Sequence, residues 1–97
     1  MHKPLTIVAK FIAKPDAADF VQAEIEKLLA PTRAEPGCIN YDLHQDNRTP
    51  EQFLIYENWD TYELWQDHMN APHLKAFQDA IDGKLEDLTI WEMTRIG

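Results

Sequence analysis

The sequence predicts an α+β fold of order β-α-β-β-α-β, with one antiparallel four-stranded sheet and helices on one of its faces. Three observations predict it. Apolar residues alternate with polar ones over four short segments. They recur at helical spacing between the first and second of these segments, and again between the third and fourth. Breaks bearing Pro, Gly or Asn separate the segments.

Leu5 to Ile12 (LTIVAKFI) is rich in β-branched and aromatic residues and reads as a strand. Pro15-Asp16 is a helix start, and Phe20, Val21, Ile25, Leu28 and Leu29 then form an apolar face. Pro31 is expected to kink or end this helix, and Pro36-Gly37 stops it. Cys38 to Gln45 and Gln52 to Trp59 read as strands joined by the polar turn Asp46 to Glu51, a hairpin. Asp60 or Thr61 caps a helix running to about His68. Asn70-Ala71 interrupts it, and Pro72 suits the first position of a new helical segment whose face is Leu74, Phe77, Ala80 and Ile81. Gly83 ends that segment, and Leu88 to Ile96 is the last strand. Residues 1–97 read as a single domain of the split βαβ, ferredoxin-like kind.

The alternation bears on assembly. Leu5, Ile7, Ala9 and Phe11 oppose Val8 and Ile12; Phe53, Ile55, Glu57 and Trp59 oppose Leu54, Tyr56 and Asn58. Both faces are substantially apolar, and helices cover only one. A homodimer through the other sheet face, a dimeric α+β barrel, is the simplest solution.

Composition excludes several classes. Seventeen acidic and nine basic residues give a net charge of −8 with no basic patch, which argues against nucleic acid. No apolar run approaches the roughly 20 residues of a membrane span. Cys38 is the single cysteine, which fits a reducing cytoplasm. The three glycines, Gly37, Gly83 and Gly97, cannot build a phosphate-binding loop, so no flavin or nicotinamide motif is present.

The segments EPGCINYDLHQD and FLIYENWDTYELWQDHMNAPHLKAF, with the closing aromatic strand, resemble the antibiotic biosynthesis monooxygenase domain family, especially its small quinol-monooxygenase-like members, from about Leu5 to Arg95. The resemblance implies a dimer with sheets packed face to face and a ligand pocket between sheet and helices of each subunit. It also implies one of several chemistries: cofactor-free oxygenation of aromatic polyketides or quinols, haem degradation, or isomerase-like reactions. Members that oxidise polyketides resemble this chain at Trp59 and have an aromatic residue at Trp65, but carry asparagine where Ile55 stands, which points to another substrate. Haem-degrading members have tryptophan at the position of His68 and their iron-ligating histidine at that of Gln78, so haem binding of their kind is not expected.

His68 is the expected catalytic base. Imidazole titrates near neutrality, and helical periodicity places it on one face with Leu64 and Trp65. The structural alternative is a core histidine bonded to a backbone carbonyl. Glu57, inward on its strand, could orient His68 or bind a substrate hydroxyl; the structural alternative is a hydrogen bond within the protein or a strand-end group reaching water. Trp59 and Trp65 could sandwich a planar ring or stand as plain core, with Trp65 expected to be mainly structural, and Phe11, Ile55 and Phe77 complete the expected substrate pocket. His2, His44 and His73 show no metal spacing. His68 and His73 stand five apart across a proline, so no metal site is expected from them.

The expected activity is a cofactor-independent monooxygenase using dioxygen on a small quinol or hydroxy-aromatic. The alternatives are an isomerase-like enzyme on a small oxidised metabolite and a non-catalytic quinone-binding protein. A base that pairs with substrate rather than protein predicts that His68→Ala leaves stability nearly unchanged.

Overall fold

A computed structural model describes residues 3–97; His2 lies outside the described residues. The elements are β1 (Leu5–Ala13), α1 (Ala18–Arg33), β2 (Cys38–Gln45), β3 (Gln52–Trp59), α2 (Tyr62–Met69), α3 (Pro72–Ala80) and β4 (Leu85–Thr94). The four strands form one sheet in the order β2-β3-β1-β4, with every neighbouring pair antiparallel. The order is therefore β-α-β-β-α-α-β, the ferredoxin-like arrangement with its second helical segment divided.

The alternation of period two is realised as read. Ile7, Ala9 and Phe11 pair with Glu57, Ile55 and Phe53, and all six are buried beneath the helices. Val21, Ile25, Leu28 and Thr32, spaced at helical intervals, are the buried stripe of α1. Phe20 does not join them: it is half exposed, with the Lys84 ammonium 5.7 Å from its ring centre. Nor does Pro31 end α1. It falls in the last turn, where the Ala34 N–H still reaches the Ala30 carbonyl at 3.3 Å and the buried Thr32 anchors the turn. Thr61 is the cap of α2; its Oγ1 accepts the Leu64 N–H at 3.1 Å. Pro72 opens α3, as its missing N–H and fixed φ favour.

The last strand departs from expectation. It starts at Leu85 because the Lys14 N–H bonds the Lys84 carbonyl and feeds the chain into the sheet early. It ends at Thr94, leaving Ile96 in solvent. β4 is an edge strand that no helix covers. Leu88 and Ile90 pair with Phe11 and Ala9 on the helix side, yet both remain exposed. On the opposite face Tyr56, Trp91 and Met93 are exposed around Val8. Among the described residues no helix is long and apolar enough to cross a membrane.

Candidate active site

The turn between α1 and β2 carries the residue on which the site hinges. The Glu35 N–H bonds the Thr32 carbonyl at 3.0 Å, and the Glu35 carbonyl accepts the Cys38 N–H at 3.2 Å. Gly37 follows at φ +84°, a conformation a side chain resists. A Cβ there would overlap the Leu64 side chain, so α2 packs directly on this backbone. The Gly37 carbonyl also accepts the Asp60 N–H at 2.9 Å, fastening the turn to the β3–α2 link.

His68 lies in the last turn of α2 and His73 in the first turn of α3. The break between the helices, closed by the Ala71 N–H on the His68 carbonyl, brings both rings to one carboxylate. Glu35 Oε2 lies 2.7 Å from His68 Nδ1 and 2.9 Å from His73 Nε2. A carboxylate oxygen accepts from both, so the protons are assigned to His68 Nδ1 and His73 Nε2. His68 Nε2 then keeps a lone pair, and no protein group among the described residues bonds it. The His68 ring is 2% exposed, stacked 4.8 Å from Trp59 and edge-on to Tyr41 at 5.5 Å. Burial holds its pKa below the ordinary value of 6.5, and the Glu35 bond opposes that shift.

His68 forms part of the wall of a cavity between sheet and helices. Phe11, Ile55, Trp65 and Phe77 supply apolar lining, and Glu57 supplies a carboxyl. The exposed members Gln78, Leu88 and Ile90 mark its mouth at the uncovered β4 edge. The cavity measures about 60 Å³, less than half of the roughly 150 Å³ that holds a benzene ring in an apolar core. A ring-sized ligand therefore enters by displacing side chains at the mouth. Glu57 accepts the Trp59 Nε1–H at 2.9 Å. Burial nonetheless pushes its pKa up from 4.5 to about 7, against the lowering by that indole bond and with a further rise from the Glu35 charge. The Tyr41 hydroxyl is pushed well above its usual range, by burial first and the Glu57 charge second.

The structure thus gathers six of the seven sequence-derived site residues around one cavity: His68, Glu57, Trp65, Ile55, Phe11 and Phe77. Trp59 is not among them. It is fully buried against the His68 ring and cannot sandwich a ligand with Trp65. Glu57 does not orient His68; Glu35 does, from a turn whose residues follow no period. His68 and His73 share no helical face, as their spacing implied, yet the break between α2 and α3 brings both rings to Glu35. The expectation that His68→Ala spares stability is corrected as well. His68 is buried and bonded, so its removal leaves Glu35 short of a partner and a void beside Trp59. The signal that could have found Glu35 was the EPG turn itself, an acidic residue held beside a glycine that must approach another element.

A ferredoxin-like sheet lies over an apolar cavity with one carboxylate-held histidine on its wall. The chain belongs to the antibiotic biosynthesis monooxygenase family, whose profile matches residues 4–80. It is 32% identical over 73 residues to "Putative monooxygenase Rv0793" of Mycobacterium tuberculosis, covering 75% of this chain and 71% of that protein. The crystal structure of PA3566 from Pseudomonas aeruginosa superposes with a TM-score of 0.95 at 34% identity, over 100% of this chain and 98% of that one. "Probable quinol monooxygenase YgiN" of Escherichia coli is 23% identical over 96 residues, 89% of this chain and 92% of that protein.

Proposed function

We propose that the chain is a cofactor-independent monooxygenase acting on a small quinol or hydroxy-aromatic, with His68 as base. The observation that carries this reading is the His68 ring, part of the wall of an apolar cavity: Nδ1 is held by Glu35, and Nε2 is left with a lone pair and no protein partner among the described residues. A carboxylate that fixes the far nitrogen sets the tautomer and stabilises the imidazolium that forms. The name of the Escherichia coli relative supports the quinol class.

The substrate supplies the electrons. His68 Nε2 takes the phenolic proton, and the phenolate passes one electron to dioxygen. The radical pair joins through a new ring C–O bond, giving a hydroperoxide. Loss of the ring proton and cleavage of the O–O bond then place one oxygen atom in a quinone carbonyl and the other in water. Glu57 carries a proton over much of the range below about pH 7 and serves as a hydrogen-bond donor to a substrate oxygen. Trp65 and Phe77 keep the site dry.

Oxygen uptake with a panel of quinols and hydroxy-aromatics tests the reading. His68→Ala should lower turnover per folded molecule by about 10²–10⁴-fold. Because burial lowers the His68 pKa, the parent should keep its activity somewhat below pH 6.5 and lose it as the ring protonates at lower pH. No uptake with any compound, together with quinone-induced thermal stabilisation, would favour the binding-protein alternative. Anaerobic conversion of a substrate would favour the isomerase-like one.

The exposed Tyr56, Trp91 and Met93 support a homodimer through the helix-free face. Light scattering that finds a monomer at micromolar concentration would refute that assembly. The lone Cys38, its thiol pushed up to about 11 mainly by burial, suits a reducing cytoplasm.

A further inference from the structure

Glu35, His68 and His73 offer one carboxylate oxygen and two imidazole nitrogens, all lying within 4.8 Å of one another. Two imidazoles and a carboxylate are the donor set of three-ligand zinc centres that keep an open fourth position. Metal bonds of about 2.0–2.1 Å place tetrahedral ligand atoms about 3.3 Å apart. Here the two edges from Glu35 are 2.7 and 2.9 Å, so each opens by about half an ångström while the edge between the histidines closes. Both imidazole nitrogens already bond the same carboxylate oxygen, so the three donors stand together before any metal binds.

Two further features favour a cation. Glu35 is 15% exposed, and its only ion-pair partners among the described residues are these two imidazoles, so no lysine or arginine supplies a permanent positive charge. His73 is 24% exposed, which leaves a path from solvent to the cluster. The net charge of −8 adds a field that draws cations to the molecule.

We propose that Glu35, His68 and His73 form a binding site for a divalent transition metal of the zinc class. The site takes Nδ1 of His68, and the cavity whose wall His68 forms is lined by neither Glu35 nor His73, so Nε2 is the nitrogen left for the cavity. A metal on Nδ1 displaces the proton from that nitrogen, so a neutral ring must carry its proton on Nε2. The ring then donates into the cavity and can no longer accept. Metal loading and base function at His68 exclude each other, so zinc switches the site off. This consequence rests on the proposed base; the binding itself does not.

Calorimetric titration of the full chain with Zn²⁺, and visible spectra with Co²⁺, test the site. The expected result is one equivalent per chain and d–d bands of a tetrahedral centre. His73→Ala removes a partly exposed ligand and should fold. It should weaken binding by at least about 100-fold, as should Glu35→Gln, whereas His44→Ala, exposed on β2, should leave binding unchanged. Absence of saturable binding, or binding that survives both His73→Ala and Glu35→Gln undiminished, overturns the proposal. Zinc binding in a protein that oxidises no quinol leaves the site standing and removes the proposed activity. Quinol oxidation in a protein that binds no zinc does the reverse.

Discussion

Two carboxylates are carried by different kinds of backbone: Glu57 lines the cavity, and Glu35 holds His68, which forms part of the cavity wall. Glu57 stands in the middle of β3, opposite Ile7 and Tyr41, and is 3% exposed. Its one protein partner among the described residues is the Trp59 indole, and burial outweighs that bond, pushing its pKa up to about 7. Glu35 stands in a turn at the rim, and a single oxygen of it accepts two imidazole N–H groups. The sheet delivers a carboxyl into an apolar wall, where it is close to neutral and suited to bonding a ligand. The turn delivers one to the edge of the core, where it orients other groups. What separates the two is the company each keeps, since the side chains are chemically the same.

Glu35→Ala gives the largest expected effect. With His68 Nδ1 unheld, turnover in the quinol assay should fall by about 10²-fold or more, whereas Glu57→Gln, which keeps a donor and an acceptor, should stay within about tenfold. A larger loss in Glu57→Gln would exchange the two roles. Trp65→Ala comes next: it removes a buried wall of the cavity and should cost about 3–5 kcal/mol in urea denaturation. Gly37→Ala probes the turn alone. A positive φ costs a residue with a Cβ about 1–2 kcal/mol, and overlap with Leu64 adds about 1–3. The Tm should drop, and quinol turnover should drop with it, because Glu35 moves.

The smallest effect has a distinct pH signature. The folded state keeps the Glu57 proton up to about pH 7, whereas an unfolded chain releases it near the ordinary value of 4.5. Between those values the folded state binds more protons, so stability falls as pH rises through that window. This contribution is whole below about pH 4.5 and gone above about 7, on the order of 3 kcal/mol at 1.36 kcal/mol per unit. Glu57→Gln should abolish the decline and be more stable than the parent by about 1–3 kcal/mol at about pH 8. Equal stability of the two at that pH would show that the carboxylate is not desolvated.

The sequence by itself determined the first three strands, their inward rows and most of each helix face, though not the bounds of β4 or the place of Phe20. Ile7, Ala9, Phe11, Phe53, Ile55 and Glu57 were legible because backbone geometry forces successive strand residues to opposite faces, whatever the strand packs against. His68 and Trp65 were legible in the same way from helical spacing. The tertiary structure decided the rest. Glu35 and His68 are 33 residues apart and share no element, so no period links them. Trp59 obeys its strand's alternation and still misses the cavity, because the His68 ring fills the space in front of it. Leu88 and Ile90 face inward by pattern yet stay exposed, because the helices dock over β1 to β3 and stop short of the edge. A local repeat fixes which way a side chain leaves the backbone. What it meets there depends on how separate elements dock, and that is settled only when the whole chain packs.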